Sequence, residues 1–239
     1  MANDKAAFDI RTMRIGTGIT YGKPASIPGK TSTYEKHRIR KKTVLQQIEM
    51  THKNTLKPIS RREFRSWLME HASSEQECWV DVKRGKPTDS ETFCYIDAVE
   101  EALCFGWIDS TYAVIDGVRM QRFSPRKKNS PWTELNKERV RRLEKLGLMT
   151  GAGRAVLPAM GARSFRIDPD IEAAMKAARC WSKFKSFPPL YQRVRAYNVA
   201  FHKKRNPATY SQALEHLIRE TKKGRMFGEW NDYGRLLDD

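Results

Sequence analysis

The sequence predicts an α+β fold in which a small antiparallel sheet with helices precedes a helical C-terminal half. Two runs of strand-forming residues, 111–115 and 118–123, flank Asp116-Gly117, and this dipeptide favours the two-residue type I′ turn of a β-hairpin. Beyond residue 130, several segments with apolar residues at helical spacing begin with Pro, Asn or Asp. These residue types are common at helix starts, so the segments predict a series of helices.

The stretch 95–109 connects the predicted sheet to a central helix. Asp97 and Glu100 have the three-residue spacing of a capping box, so we expect the helix to begin there. Gly106 can adopt the left-handed conformation that ends a helix, after which the chain restarts as a strand. Glu100 and Glu101 point about 100° apart on a helix and cannot form a catalytic carboxylate pair. We expect Glu100 to support the helix start and Glu101 to contact solvent or a basic neighbour.

Local patterns also define the elements that precede this stretch. Ser60 and Glu63 form a second capping box and predict a helix that ends near His71. Residues 78–83 alternate like a strand, and residues 92–95 predict another short strand that leads into the central helix.

The C-terminal half is predicted to contain a succession of helices. Ser130 followed by Pro131 predicts a helix that ends at Gly147, and residues 150–156 predict a short one. Further helices are expected to start at Asp168-Pro169, Pro188-Pro189 and Asn206-Pro207. We therefore divide the chain into a basic extension (1–55), an α+β core (56–160) and a helical region that packs on the core (161–239).

The charge balance favours anionic partners. The 239 residues include 45 Lys and Arg against 28 Asp and Glu, which gives a formal net charge of +17. Residues 1–57 contain twelve of the basic and four of the acidic side chains, so +8 arises in that quarter. Such an excess attracts nucleic acid, acidic lipid headgroups or phosphorylated ligands, and it does not choose among them.

Hydrophobic content and cysteine usage indicate a soluble, cytoplasmic protein. Hydrophobic residues make up 39% of the chain, and no run approaches the roughly 20 apolar residues that a membrane span needs. The four cysteines lie in apolar patterns without Cys-x-x-Cys spacing. We expect buried, reduced thiols rather than a disulfide framework or a zinc site.

Residues 1–35 are rich in Gly and Pro and predict a mobile arm, which is followed by a basic run. The cations of this run are Lys36, Arg38, Arg40, Lys41 and Lys42. Such a run is typical of a phosphate-binding patch or a localisation signal, and also of a solvated tail. Our alternative hypothesis is a nucleic-acid-binding protein that uses this arm together with basic helix faces.

Motifs for phosphate-loop, serine-hydrolase and zinc-protease chemistry are missing from the sequence. Gly151-Ala152-Gly153 lacks the third glycine and the strand of a dinucleotide site, so we interpret it as a turn. The five histidines are scattered, and no spacing predicts a metal site. We expect no cofactor, and a binding protein rather than an enzyme. An enzyme that acts on a phosphorylated or carboxylated small molecule is a second alternative.

One set of side chains around the central stretch is a candidate anion-binding site. The set comprises Trp107, Asp109, Arg122, Arg126, Lys127, Lys128, Trp132 and Asn136. Asp109 and Arg122 are expected on neighbouring strands, and cations beside a helix N-terminus favour a phosphate or carboxylate. The tryptophans offer flat faces for stacking. The alternative interpretation is an Asp–Arg pair that braces a loop, with the tryptophans in the core and the lysines in water.

Several stretches resemble the signature of the YdeI/OmpD-associated, or bacteriocin-protection, family. They are the run from Ala98 to Asp109, the segment from Arg122 to Asn136, and residues 221–226 and 230–238. Together they extend from about residue 56 to the C-terminus. The resemblance implies a soluble protein that protects against antimicrobial peptides, and it implies no reaction. Because a protein of net charge +17 repels cationic peptides, we expect sequestration of an anionic ligand or partner rather than direct peptide capture.

Overall fold

The computed structural model of the chain describes residues 54–58, 60–87, 89, 92–161 and 164–237. These residues contain a four-stranded sheet, eight α-helices and a 3-10 turn, which confirms the predicted α+β class and the helical C-terminal half. The basic run from Lys36 to Lys42 lies outside the described residues. Within the described ranges, no helix is long and apolar enough to span a bilayer.

The sheet is mixed, with the strand order β1-β2-β4-β3. Its strands are β1 (Thr55–Leu56), β2 (Cys78–Asp81), β3 (Trp107–Ile115) and β4 (Val118–Pro125). β2, β4 and β3 pair antiparallel as predicted, whereas β1 pairs parallel with β2. Asp116 and Gly117 have φ values of 49° and 78°, and a type I′ hairpin requires positive φ at both positions.

The helices fall where the sequence predicts them, except for Trp181–Lys185, for which the sequence indicates no separate start, and for the exceptions given below. They are α1 (Arg61–His71), α2 (Tyr95–Cys104), α3 (Glu134–Lys145), α4 (Gly151–Ala155), α5 (Pro169–Ala177), α6 (Trp181–Lys185), α7 (Pro189–Ala200) and α8 (Pro207–Lys222). A 3-10 turn, Asp232–Gly234, follows near the C-terminus. The predicted starts at Ser60, Asp168, Pro188 and Asn206 are confirmed as N-cap positions.

The predicted start of α2 and the strand expected at 92–95 are both wrong. Cys94 is the N-cap residue of α2 and forms a single β-bridge to Lys83, so the helix begins where the strand was expected to end. Asp97 is the third helical residue, and its Oδ2 accepts the Cys94 backbone N–H at 3.0 Å. The carboxylate therefore caps the helix from inside its first turn.

The start of α3 also differs from the expectation at Ser130. Thr133 is the N-cap residue, and its hydroxyl accepts the backbone N–H of Asn136 at 3.1 Å. The carbonyls of Ser130 and Pro131 instead accept hydrogen bonds from the guanidinium of Arg126, at 3.4 and 3.1 Å. These two residues are consequently held in a loop, and the helix begins after it.

Two large hydrophobic clusters form most of the core, and a small third one contains Trp79, Ile115 and Met120. The first lies between the sheet and the helices α1 and α2, where Phe64 and Phe123 are fully buried. The second lies among α5 to α8 and the C-terminal tail, where Tyr191 contacts Trp230 with 5.6 Å between ring centroids. The tail packs over these helices through Trp230 and Leu236, whereas Leu237 is exposed.

The four cysteines, which are all described, are buried and carry free thiols. Burial raises the pKa of the Cys104 thiol to about 11. This thiol is therefore protonated at neutral pH, which disfavours a role as a nucleophile.

The helix α2 carries three buried carboxylates in the middle of the fold. Every residue from Ile96 to Cys104 is buried, and Asp97, Glu100 and Glu101 are 6%, 0% and 3% exposed. We call these three side chains the α2 carboxylates. The expectation that Glu100 supports the helix start is wrong, because this side chain pairs with arginines of other elements. For Glu101 the expected contact with a basic neighbour is confirmed, since it pairs with Arg61 and Arg65.

Four arginines from three other segments neutralise the α2 carboxylates. They are Arg61 and Arg65 of α1, Arg142 of α3, and Arg235 of the C-terminal tail. Glu100 accepts hydrogen bonds from Arg61 at 2.7 Å and from Arg142 and Arg235 at 3.2 Å each. Burial favours protonation of Asp97, but hydrogen bonds from Cys94 and the charge of Arg235 outweigh it and lower the pKa of this carboxyl.

A close backbone contact fixes the short helix α4 against the end of α2. A Cβ atom at Gly153 would lie 2.2 Å from the carbonyl oxygen of Cys104, whereas at Gly151 it would meet no atom within 4 Å. Both glycines belong to α4, so the interpretation of Gly151-Ala152-Gly153 as a turn is wrong. Gly153 is therefore required by the close packing of α4 on α2 and not by its backbone conformation.

The substitution Gly153→Ala should destabilise the protein by about 1–3 kcal/mol, because the new methyl group must push α4 away from a backbone carbonyl. Chemical denaturation measures the change. Gly151→Ala is the matched control in the same helix and should be neutral or stabilising by up to about 1 kcal/mol. Equal effects of the two substitutions would contradict the close contact.

Candidate functional site

Asp109 of β3 and Tyr95 of α2 form the centre of a polar cluster. Gly106 ends the helix with φ of 76°, and the chain then turns directly into β3, which brings Asp109 back towards the helix start. The Tyr95 hydroxyl donates to Asp109 Oδ2 at 2.6 Å. Burial and the negative charge of Asp109 raise the pKa of Tyr95. The phenol therefore keeps its proton and holds the half-buried carboxylate in place.

Arg126 follows β4 and lies beside this pair. Its backbone N–H donates to the carbonyl of Gly106 at 2.9 Å, and its guanidinium carbon lies 3.7 Å from the centroid of the Trp132 ring. The side chain makes two hydrogen bonds to loop carbonyls, while its Nε is buried without a partner. Stacking and burial thus fix a guanidinium group in a single orientation.

The charge of Arg126 is incompletely neutralised. The residue is 8% exposed, and burial lowers the pKa of its guanidinium, an effect that the negative charge of Asp109 opposes. Among the described residues, no carboxylate lies within ion-pair distance of Arg126, and Asp109 interacts with it only at longer range. A buried cation without a direct counterion is costly, so this position favours the arrival of an anion.

Arg139 of α3 provides a contrast, because its partners occupy it fully. Its Nε and Nη2 donate to the two carboxylate oxygens of Asp232 at 2.7 and 2.8 Å. Its Nη1 donates to Asn136 Oδ1 at 2.6 Å. The bidentate pair fixes the C-terminal tail against α3 and leaves Asn136 engaged in a structural contact.

The structure brings together three of the predicted site residues, namely Asp109, Arg126 and Trp132. Asn136 joins them indirectly through Arg139, whose guanidinium interacts electrostatically with Asp109. We name the group formed by Tyr95, Asp109, Arg126, Trp132 and Arg139 the Arg126 cluster. Lys127 and Lys128, which follow Arg126 in the chain, are exposed and add positive charge to the adjacent surface.

Two predicted site residues lie elsewhere. Trp107 is 1% exposed in the core, where its indole N–H donates to the carbonyl of Ala72 at 3.2 Å. Arg122 is paired with Glu77, with its Nε 2.7 Å from the carboxylate. The strand register places Asp109 opposite Phe123 rather than Arg122. Asp109 and Arg122 therefore lie on neighbouring strands as expected, but they point away from each other because alternate residues of a strand face opposite sides.

The sequence patterns do not predict several residues that contact the Arg126 cluster or belong to it. Tyr95 is predicted to lie in a strand, whereas its position in the first turn of α2 places its hydroxyl beside Asp109. Arg84 stacks over the Tyr95 ring at 4.3 Å and donates to Gln121 Oε1 at 2.9 Å. Asp232 is 93 residues from its partner Arg139, and no local pattern indicates that pair.

Comparison with known proteins finds one match to a domain family, in the first part of the described chain. Residues 56–156 match the model of a domain family described as Domain of unknown function (DUF8412). This finding overturns the expected relationship to the YdeI/OmpD-associated family, and the protection against antimicrobial peptides that the resemblance implied loses its basis. No curated protein and no solved structure matches the chain. The match includes all five residues of the Arg126 cluster, and it ends before α5.

The chemistry available to the Arg126 cluster is recognition of an anion with an additional hydrogen-bonding group. Arg126 offers a delocalised charge without a carboxylate at ion-pair distance in the described chain, which suits the oxygens of a carboxylate or phosphate. Asp109 Oδ2 is occupied by Tyr95, which leaves its second oxygen as an acceptor for a ligand hydroxyl or amine. Within the described residues, no group of three or more His, Cys, Asp or Glu is arranged to hold a metal ion.

Proposed function

We propose that the protein binds a small organic anion at the Arg126 cluster and acts as a binding protein. The observation that carries the proposal is the buried guanidinium of Arg126, which has an unpaired Nε and no direct carboxylate partner in the described chain. Arg139, the other buried arginine of the described residues, has the carboxylate of Asp232 at hydrogen-bonding distance. Arg126 lacks such a carboxylate, and an arginine that binds an external anion is expected to lack one.

The surroundings of Arg126 support a carboxylate or phosphate ligand that also carries a hydrogen-bond donor. Trp132 fixes the plane of the guanidinium, so the direction in which the ligand oxygens approach is preset. Asp109 supplies an acceptor for this donor, which an anion without an N–H or O–H group would not use. Lys127 and Lys128 raise the local concentration of anions by electrostatic attraction.

The substitution Arg126→Gln tests this proposal. A thermal-shift screen of the wild-type protein with citrate, malate, inorganic phosphate and glycerol phosphate should identify at least one stabilising anion. A ligand at one hundred times its dissociation constant stabilises the folded state by about 2.7 kcal/mol. Arg126→Gln should abolish this stabilisation, because the ligand loses its charged hydrogen-bond partner.

Arg119→Gln is the matched control, since Arg119 lies on the strand that leads to Arg126, is exposed and carries the same charge. This control should retain the response to the anion. In the absence of ligand, Arg126→Gln should change the free energy of unfolding by no more than about 1 kcal/mol, because relief of desolvation offsets the lost stacking. A large loss of stability without any anion response in the wild type would favour the loop-bracing interpretation and contradict the proposal.

A second candidate function is binding to nucleic acid, which the net charge of +17 favours. The basic run at Lys36, Arg38, Arg40, Lys41 and Lys42 would supply the phosphate contacts, with exposed lysines such as Lys127 and Lys128 contributing. Electrostatic attraction of this type needs no base-specific contact.

Binding of a fluorescent single-stranded or double-stranded oligonucleotide, measured by anisotropy at several salt concentrations, tests the second candidate. The affinity should fall about a thousandfold or more between about 50 and 200 mM salt if about six or more phosphates are contacted. Simultaneous replacement of the five basic residues of the run by Gln should remove most of the binding. Undetectable binding at low salt would eliminate this function.

A further inference from the structure

A cavity lies in the helical C-terminal region, outside the segment that matches the family model. Its volume is about 350 Å³, at the lower end of the range of about 300–1,000 Å³ found for small-molecule sites. Its walls come from residues 165–167, α5, α6 and the first turn of α7. The residues used below are Arg166, Glu172, Trp181, Lys185, Gln192 and Arg193, and we name this cavity the Trp181 pocket.

The charge of the Trp181 pocket is positive. Glu172 is compensated by Lys176, at 2.6 Å, and Arg193 is held by Glu138 at 2.7 Å. Arg166 and Lys185 are exposed, and in the part of the chain that the structure describes neither has a carboxylate within ion-pair distance. Two free cations therefore border the cavity, and an anionic group would neutralise them.

The adjacent end of α7 adds to this preference. Pro188 and Pro189 begin the helix, and no side chain caps it, whereas Ser60, Thr133, Thr150, Asp168 and Asn206 cap other helices. The partial positive charge of a helix N-terminus is consequently left without a side-chain acceptor at the edge of the pocket.

Gln192 provides a polar contact of fixed orientation inside the pocket. It is 6% exposed, and its Nε2 donates to the carbonyls of Lys185 and Phe187 at 3.1 and 2.7 Å. These two bonds assign the amide nitrogen and leave Oε1 to accept a hydrogen bond from a ligand. A carbonyl oxygen in this position selects a molecule that carries an N–H or O–H donor in addition to its negative charge.

Trp181 supplies a flat surface next to these polar groups. Its ring is half-exposed and packs on Phe184 with 5.9 Å between centroids. The ammonium of Lys185 lies 5.7 Å from the indole centroid, so a planar group on the indole and an anionic group at Lys185 would be neighbours. A planar, aromatic portion of a ligand would gain stacking energy on this surface.

We propose that the Trp181 pocket binds an aromatic anion of mononucleotide size, with its ring on Trp181, a donor group on Gln192 Oε1 and its phosphate on Arg166 and Lys185. The cavity is too large to be filled by a lone inorganic ion. The site is independent of the Arg126 cluster, because the two share no residue.

Titration calorimetry with AMP and UMP tests the proposal, with adenosine and inorganic phosphate as the separated parts. At least one nucleotide should bind saturably, and adenosine and phosphate should each bind at least about tenfold more weakly, because each lacks one set of contacts. The exposed substitutions Arg166→Glu and Lys185→Glu should each weaken nucleotide binding about tenfold or more.

Two control variants distinguish binding in this pocket from a general effect of net charge and from binding at the Arg126 cluster. Lys204→Glu changes the charge equally at an exposed residue beyond the opposite end of α7, and it should leave nucleotide binding unchanged. Arg126→Gln should also leave it unchanged, so the two sites can fail separately. The proposal is overturned if neither nucleotide binds at millimolar concentration, or if Lys204→Glu weakens binding as much as Lys185→Glu does.

Discussion

The contact between the α2 carboxylates and four arginines is the interaction on which the rest of the structure depends. A buried carboxylate is strongly unfavourable unless it is paired and hydrogen-bonded. Asp97, Glu100 and Glu101 avoid this cost because α1, α3 and the C-terminal tail each supply at least one guanidinium. The ion pairs that offset the burial of these carboxylates therefore also fix three segments around a single helix.

This network also determines the geometry of the Arg126 cluster. Its first member, Tyr95, opens the helix that carries the α2 carboxylates. Arg235 binds to that helix, and Asp232, three residues earlier, binds Arg139 through two hydrogen bonds. The tail is therefore fixed at two points, and both are salt bridges. Around Arg126, by contrast, the described residues supply only carbonyl oxygens, an indole face and a distant carboxylate, which explains why this arginine is suited to an external anion.

The parts of the fold that the sequence predicts correctly are those set by neighbouring residues. The Asp116-Gly117 turn, the caps at Ser60 and Asn206, and the helix start at Pro189 depend on the conformational preferences of a few consecutive residues. Ser130 is a wrong prediction for the start of α3, although it has the correct chemistry for a cap. The side chain of Arg126 instead holds this residue in the preceding loop, and a local pattern does not contain that information.

The sequence predicts only part of the site, because local patterns do not contain information about contacts between distant segments. Asp109, Arg126 and Trp132 are close in sequence and lie on consecutive elements, so their proximity follows from the hairpin. Arg122 lies on the strand beside Asp109 as expected, but it faces the other side of the sheet, because a strand register that differs by one residue reverses the face of every side chain. The contacts that hold the surrounding elements in place join residues that are distant in sequence. Asp97 and Arg235, for example, are separated by 138 residues.

The central claim is that the α2 carboxylates hold the C-terminal tail through a charged, buried contact. A double-mutant cycle with Glu100→Gln and Arg235→Gln, followed by chemical denaturation, tests it most directly. The account predicts a coupling free energy of at least about 1 kcal/mol, as for residues in one salt-bridge network. It also predicts a clearly smaller coupling for the surface pair Glu144 and Arg154, which serves as the reference. Additive effects of the two substitutions, within about 0.3 kcal/mol, would show that the tail is held by other contacts and would contradict the account.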